Sequence, residues 1–221
     1  MELIPVLHIQ SEQQAIDNLD ILLECGIKQV FIIGHEGKFR GADKLVRISD
    51  LAHQKGFWCG INFLGYDPIE VLKQYGIYPF EALWYDNSFA GVDNAQTRSI
   101  YKIRNRHAAH VKLFGGVAFK YCPQPKDLRE ACTVAEQYMD VVVTSGIGTG
   151  IAADTQKISE MRRYLGLNAR LGIASGITAE NVQEYDADYL LVSTGISKDF
   201  YTFHKEKILK LFETSGNGTI Q

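Results

Sequence analysis

Apolar runs rich in β-branched residues recur eight times along the chain, and each precedes a segment with helical periodicity. The runs are Leu3–Ile9, Gln29–Ile33, Phe57–Phe63, Ala82–Tyr85, Val111–Phe119, Asp140–Thr144, Ala169–Ala174 and Tyr189–Ser193. Continuous apolar runs are typical of parallel strands that are covered on both faces. Between the runs the apolar spacing changes from two residues to about 3.6, as at Ile16, Leu19 and Leu23. The repeat predicts strand–helix units along the whole chain.

Residues that favour helix ends support the same division. Capping residues stand before the helical segments at Ser11, Asp67, Asp93, Asp154 and Thr178, and glycines stand after them at Gly26, Gly56, Gly76 and Gly166. Eight such units predict an α/β fold, a single (β/α)8 TIM barrel over residues 1–213, with 214–221 as a flexible C-terminal tail. A doubly wound open sheet is the alternative, although it does not require eight evenly spaced units.

Composition places the chain among ordinary globular proteins. It is 46% hydrophobic and 22% charged, with a net charge of −3. Because no basic face dominates, we expect no nucleic-acid partner. No apolar run approaches the roughly 20 residues that cross a bilayer, so we expect no membrane span. The four cysteines form no CxxC pair, and we interpret them as reduced thiols of a cytoplasmic protein.

Polar side chains follow the first five strands, at the ends where a barrel of this kind has its functional site. They are His8 after the first, His35 and Glu36 after the second, Asn62 after the third, Asp86 and Asn87 after the fourth, and Lys120 and Tyr121 after the fifth. The strand interiors stay apolar, so this concentration of polar groups on one rim is the main functional signal. We predict that these residues share one pocket.

The last three strand ends are alike, because each places a small hydroxyl residue before glycine. They read Ser145-Gly146, Ser175-Gly176-Ile177-Thr178 and Ser193-Thr194-Gly195-Ile196. Glycine lets the backbone approach a ligand, and N–H groups at a helix start favour an anion. We predict a phosphate held by the amides near Gly176–Ile177 and Gly195–Ile196, assisted by the neighbouring hydroxyls. The alternative is that these glycines only make tight β-to-α turns. The loop TSGIGTG lacks GxGxxG spacing and a Walker ending, so no cofactor is expected.

Three residues are candidates for catalysis, and each has a plainer interpretation. Lys120 follows a long apolar run, where desolvation favours Schiff-base or general-base work; otherwise it pairs with an anionic substrate or is a solvated lysine. His8 is an acid–base group, a metal ligand or a hydrogen-bonded core residue. Asp86 is a base, a metal ligand or a loop cap. Two histidines with carboxylates form a permissible metal set, but no spacing signature supports one, so no metal is assigned.

Two segments of the last third resemble the BtpA/SgcQ family of TIM-barrel proteins. They are MDVVVTSGIGTGIAADTQKISEMR and LGIASGITAENVQEYDADYLLVSTGISKD, with weaker similarity at VLHIQ, GINFLGYDP and LFGGVAFKYC. The chain departs from the family where IQSEQQ replaces a Pro-Leu-Pro-Gly run and where Lys120-Tyr121 replaces Lys-His. The resemblance implies a short, divergent member that is similar to ribulose-phosphate-binding barrels. It links the chain to photosystem I accumulation or sugar utilisation rather than to an established reaction.

Three functional hypotheses follow. The first is an enzyme with isomerase, epimerase or lyase chemistry on a small phosphorylated metabolite, such as a sugar phosphate or a phosphoribosyl compound. The second is a non-catalytic ligand-sensing or assembly factor of the BtpA type. The third is a metal-dependent hydrolase. Because barrels often pair through their outer helices, a homo-oligomer is also expected.

Overall fold

Eight parallel strands close into a barrel in the computed structural model, which describes residues 1–35 and 41–216. The strands are β1 (Glu2–Ile9), β2 (Gln29–Gly34), β3 (Trp58–Asn62), β4 (Ala82–Tyr85), β5 (Lys112–Gly116), β6 (Val141–Thr144), β7 (Leu171–Ala174) and β8 (Tyr189–Val192). Each strand pairs with the next in sequence, and β8 closes the ring on β1 with Leu3 beside Leu190. The predicted (β/α)8 TIM barrel is therefore confirmed.

Within the described residues, seven α-helices cover the barrel. They are α1 (Glu12–Glu24), α2 (Ala42–Gln54), α3 (Pro68–Tyr75), α4 (Asn94–His107), α5 (Leu128–Tyr138), α6 (Thr155–Tyr164) and α7 (Lys205–Thr214). The predicted N-caps at Ser11, Asp67, Asp93 and Asp154 are confirmed, since each side chain accepts a hydrogen bond from a first-turn amide.

The prediction of a helix after β7, with Thr178 as its N-cap, is wrong. The connection from β7 to β8 contains only a three-residue 3-10 turn, Val182–Glu184. The Asn181 amide group donates to the Gly176 carbonyl at 2.8 Å and accepts from the Thr178 N–H at 2.8 Å. These bonds satisfy the backbone of a short connection that would otherwise need a helix.

The inside of the barrel is apolar in its lower part and polar at the carboxyl ends of the strands. One buried cluster fills the interior: Ile4, Val6, Phe31, Ile33, Ala82, Trp84, Phe114, Phe119, Val141, Val143, Ala174 and Leu191. Side chains of a strand alternate between its two faces, so the second residue beyond an inward one also points inward. Because Val6 and Trp84 point inward, His8 and Asp86, two residues further on, also point inward and line the cavity at the top of the barrel.

Two predictions fall partly outside the described chain. Glu36 lies outside the described residues, as do residues 217–221 of the predicted tail. Within residues 1–35 and 41–216, no helix combines the length and apolar character needed to cross a bilayer.

Candidate functional site

A cavity of about 430 Å³ opens at the carboxyl end of the barrel. Its floor is apolar, formed by Val6, Ile33, Leu64, Trp84, Ala174 and Leu191. Its upper wall carries nine of the residues predicted for the site: His8, His35, Asp86, Lys120, Tyr121, Ser175, Gly176, Ser193 and Thr194. A small apolar base under a polar rim is the usual arrangement of a site for a small molecule.

A second cavity of about 520 Å³ adjoins the first. Asn62 and Asn87 line it, together with Gln96 and Cys122. The two cavities share four lining residues, namely Leu64, Asp86, Lys120 and Tyr121. Lys120 and Asp86 therefore stand where the two spaces meet.

The remaining predicted residues lie behind the cavity wall. Ser145, Gly146, Ile177, Thr178, Gly195 and Ile196 line neither of these two cavities. Ser145 is fully buried, and the side chains of Ile177 and Ile196 belong to the core. These positions shape the strand ends without contacting the open space.

His8 and His35 form a pair at the edge of the cavity. His8 Nδ1 lies 2.5 Å from His35 Nε2, and the Phe200 ring lies against both imidazoles, with centroids 4.2 and 5.0 Å away. Burial first, and then the charges of His35 and Lys120, lower the pKa of His8 to about 3. Burial also lowers the pKa of His35. Both imidazoles are therefore neutral near pH 7, and one ring nitrogen donates to the other.

Asp86 is held by an amide. The Asn62 Nδ2 group, itself buried, donates to Asp86 Oδ1 at 3.0 Å. Burial raises the pKa of Asp86, while the Asn62 bond and the charge of Lys120 oppose that rise. A carboxyl group shifted in this direction holds a proton more readily than an exposed one, as a general acid must.

Lys120 has the opposite shift. Burial lowers the pKa of Lys120, and the charges of Asp86 and Tyr121 only partly oppose this. Its ammonium nitrogen lies 5.7 Å from the centre of the Phe119 ring, inside the apolar wall. A lysine shifted in this direction loses its proton more readily, and its neutral amine is a base or a nucleophile. Two groups whose pKa values are shifted toward each other in one cleft are suited to exchanging protons.

The ends of β7 and β8 form the wall at which the sequence predicts an anion, and fewer of the predicted residues are open to the cavity there than expected. Within the described chain the Gly176 amide has no hydrogen-bond acceptor, whereas the Ile196 amide donates to the Ser193 carbonyl at 3.0 Å. Gly195 is needed for packing, because a side-chain carbon there would lie 1.9 Å from the Ile177 carbonyl oxygen. The open part of the wall is thus formed by Ser175, Gly176, Ser193 and Thr194.

The loop after β6 extends over this wall. The Ser175 hydroxyl donates to the Gly148 carbonyl at 2.8 Å, and the next two loop residues, Thr149 and Gly150, line the cavity. The Thr149 N–H also donates to the Tyr121 hydroxyl at 3.4 Å. In the sequence, the three glycines of TSGIGTG marked this loop as different from the other strand ends.

Two further residues at the site were missed. Phe200 forms a side wall, and in the sequence it was indistinguishable from an exposed surface aromatic. Lys157 on α6 reaches the ends of β5 and β6, but a lysine on an amphipathic helix gives no sign of burial. Among residues 1–35 and 41–216, no three His, Cys, Asp or Glu side chains converge as a metal site would require.

Fold and cavity define a (β/α)8 barrel with an open cavity at its carboxyl mouth. No protein-family model matches the chain, and neither does any curated protein. Solved structures do match. A structure named native KDPGal aligns with 98% of this chain and 95% of its own, with a TM-score of 0.70 and 11% identity.

Two other solved structures are similar over their whole lengths. A monomeric form of phosphoribosylanthranilate isomerase from Thermotoga maritima has a TM-score of 0.66 and 15% identity, covering 99% of this chain and 100% of its own. A 3-keto-L-gulonate-6-phosphate decarboxylase from Vibrio cholerae has a TM-score of 0.64 and 11% identity, covering 98% of each chain. At such identities these similarities establish the fold.

Proposed function

We propose that this protein is an enzyme that performs proton-transfer or Schiff-base chemistry on a small phosphorylated metabolite. The observation that carries the proposal is the composition of one cavity. The hydroxyl and glycine residues at the ends of β7 and β8 line one side of it, and Asp86 and Lys120 line another. A substrate of sugar-phosphate size spans such a cavity from end to end.

The phosphate end of the substrate binds at β7 and β8. There the Gly176 amide and the hydroxyls of Ser193 and Thr194 face the cavity without a charged competitor. This is the position at which barrels of this class commonly hold phosphate. The names of two similar structures refer to a phosphoribosyl compound and to a 6-phosphate, which supports the same ligand class.

The reacting carbon binds between Asp86 and Lys120. In its neutral form, Lys120 takes a proton from a carbon next to a carbonyl, or attacks the carbonyl itself and forms a Schiff base with loss of water. Asp86 holds a proton that it delivers to the developing oxyanion. Because both residues also line the second cavity, the substrate extends beyond them, and its other half lies beside Asn87 and Gln96. This geometry fits isomerase, epimerase or lyase chemistry at the middle of a substrate.

The finer assignments belong to the same proposal. Membership of the BtpA/SgcQ family rests on the resemblance of the last third, and it favours a non-catalytic barrel that binds a phosphorylated ligand. The four free cysteines, three of them buried, suit a cytoplasmic location. Association into a homo-oligomer through outer helices remains a prediction of the barrel architecture.

Ligand binding is tested by thermal unfolding with ribose 5-phosphate, ribose and inorganic phosphate. A phosphate ligand at about 100 times its Kd raises Tm by about 5–10 °C, by mass action. Ribose alone gives no shift. Thr194→Asp, which places a carboxylate beside the phosphate, abolishes the shift, while Thr133→Asp on the exposed face of α5 retains it. Equal shifts in both variants would contradict phosphate binding at this wall.

Catalysis is tested by proton exchange in D2O, followed by NMR, on whichever phosphorylated ketose or aldose binds. The wild type exchanges the proton on the carbon next to the carbonyl. Lys120→Met slows this exchange by about 10²–10⁴-fold, the usual contribution of a general base. Lys112→Met, at the amino end of β5, the strand that precedes Lys120, leaves the exchange unchanged. Tight binding without exchange or turnover would instead support the non-catalytic alternative.

A further inference from the structure

The backbone on both sides of Lys120 has an unfavourable conformation. Ala118 has φ = +47° and Tyr121 has φ = +61°, in the left-handed region that suits glycine. Among the described residues only Phe89 is a further non-glycine case. A non-glycine residue in this region is strained, so surrounding contacts must hold it in place. Gln124 donates to the Phe119 carbonyl within the turn at 2.9 Å, and the other contacts come from the end of β6 and from α6.

Lys157 holds the first side of the turn. Its ammonium group extends from α6 and donates to the Ala118 carbonyl at 3.1 Å and to the Ser145 carbonyl at 2.6 Å. These two carbonyls lie at the ends of β5 and β6, so one amine joins the neighbouring strand ends. Within the described chain no carboxylate forms an ion pair with Lys157. The charge of Asp154 favours the ammonium form of Lys157, and the two hydrogen bonds of that ammonium join the strand ends instead of forming an ion pair.

Ser145 holds the second side. Its hydroxyl accepts from the Lys120 N–H at 2.8 Å and donates to the Gly146 carbonyl at 2.9 Å, and the residue is completely buried. Lys157 therefore binds the Ala118 carbonyl, and Ser145 binds the N–H of Lys120. We call this arrangement the Lys157–Ser145 clamp.

We propose that Lys157 is a positioning residue, which acts through Ser145 to keep the turn after β5 in the conformation that directs the Lys120 amine to the junction of the two cavities. The inference rests on the proposed role of Lys120. Lys157 does not line either cavity, so it acts on the substrate only through this turn. Without the clamp the turn relaxes toward right-handed φ values, and the Lys120 side chain moves from the apolar wall into water.

The pH dependence of amine labelling measures this position directly. Each variant is treated with acetic anhydride from pH 6 to pH 11, and the acetylated fraction of the Lys120 peptide is measured by mass spectrometry against that of exposed Lys112. In the wild type the Lys120 midpoint lies below the ordinary value for a lysine side chain, because burial disfavours the ammonium form. Lys157→Met moves the Lys120 midpoint upward, since the amine leaves the apolar wall and becomes hydrated. Below the midpoints, each pH unit of this shift slows Lys120 labelling about tenfold.

Two variants separate positioning from general loss of structure. Lys157→Arg keeps the charge and the donors and retains most of the low midpoint. Ser145→Ala removes one hydroxyl, breaks the bond to the Lys120 amide, and shifts the midpoint in the same direction as Lys157→Met. It therefore carries the test if Lys157→Met does not fold. Lys102→Met, an exposed lysine on α4, leaves the Lys120 midpoint unchanged.

The possible failures are distinguishable. If wild-type Lys120 is labelled with the ordinary midpoint of a lysine side chain, the chemistry proposed for Lys120 is wrong. If the wild-type midpoint is low and both Lys157→Met and Ser145→Ala leave it low, the clamp is overturned while the proposed function stands.

Discussion

At the scale of single residues, the site consists of ionisable groups kept away from their usual charge states. His8 shows this most clearly, because it is buried beside a second imidazole and below a phenyl ring. Since its pKa is about 3 in the folded protein and about 6.5 in an unfolded chain, the unfolded state binds more protons between these values. Protonation therefore favours unfolding throughout that window.

We expect the free energy of unfolding to fall as the pH decreases from about 6.5 toward 3. The loss from His8 is up to about 1.4 kcal/mol for each pH unit in that window. His8→Gln reduces this pH dependence, whereas His107→Gln, at the exposed end of α4, preserves it. Urea unfolding at pH 7, 6, 5 and 4 measures the effect. Parallel curves for wild type and His8→Gln would contradict a lowered His8 pKa in the folded protein.

The candidate catalytic residues could be proposed from the sequence because they stand at strand ends, where side chains point at the mouth of a barrel. His8, Asp86 and Lys120 were all found in this way, and all three line the cavity. The contacts that tune them could not be found. The Asn62–Asp86 bond and the Lys157 contacts join elements that are distant along the chain, and periodicity within one element does not report such pairs.

At the scale of elements, the connection after β6 is packed against the end of β7. Gly176 has φ = +62°, and a side-chain carbon there would lie 2.3 Å from the Ala152 N atom. Its carbonyl accepts from the Asn181 amide group at 2.8 Å. Glycine at this position therefore serves two purposes, because it permits both the left-handed turn and the close approach of the next loop.

Gly176→Ala separates these two effects when it is compared with Gly56→Ala. Gly56 also has a positive φ, at +85°, but nothing lies within 4 Å of its added carbon, so that variant costs only about 1 kcal/mol. Gly176→Ala adds a clash with backbone atoms and costs at least about 2 kcal/mol, because the β6–α6 loop must move. The same movement weakens the Tm shift caused by a bound phosphate compound. Chemical denaturation measures the first effect, and equal costs in the two variants would contradict the close packing.

Element boundaries followed the sequence where local chemistry sets them and departed from it where distant contacts do. β4 covers Ala82–Tyr85 as predicted, because turns bound it on both sides. The run from Val111 to Phe119 gives a strand only over Lys112–Gly116, since the clamp turns the chain at Ala118. The missing helix after β7 has the same kind of cause. The bonds of Asn181 hold a tight turn there that helix-start chemistry alone does not predict.

At the scale of the whole molecule, the lower part of the barrel interior is packed around the aromatic side chain of Phe31. The Phe31 ring lies edge-on to Trp58, Trp84 and Phe114, with centroids 5.5, 5.8 and 5.0 Å away, and it is completely buried. Its place exists because Gly60 on β3 has no side chain: an added carbon there would lie 2.1 Å from the Phe31 ring. The size of the Phe31 ring and the lack of a side chain at Gly60 therefore determine how the barrel interior packs beneath the cavity floor.

Phe31→Ala removes a phenyl ring from the barrel interior, and Phe200→Ala removes one from the mouth of the cavity. The first leaves a hole among packed aromatics and costs about 3–5 kcal/mol. The second removes a 41% exposed side chain from the cavity mouth and costs much less.

Gly60→Ala destabilises the wild type by overpacking but is nearly neutral in the Phe31→Ala background, since its methyl group then occupies part of the hole. A double-mutant cycle measures this coupling by chemical denaturation. Additive costs for the two changes would show that Gly60 and Phe31 do not share this space, and that the barrel floor is shaped by something else.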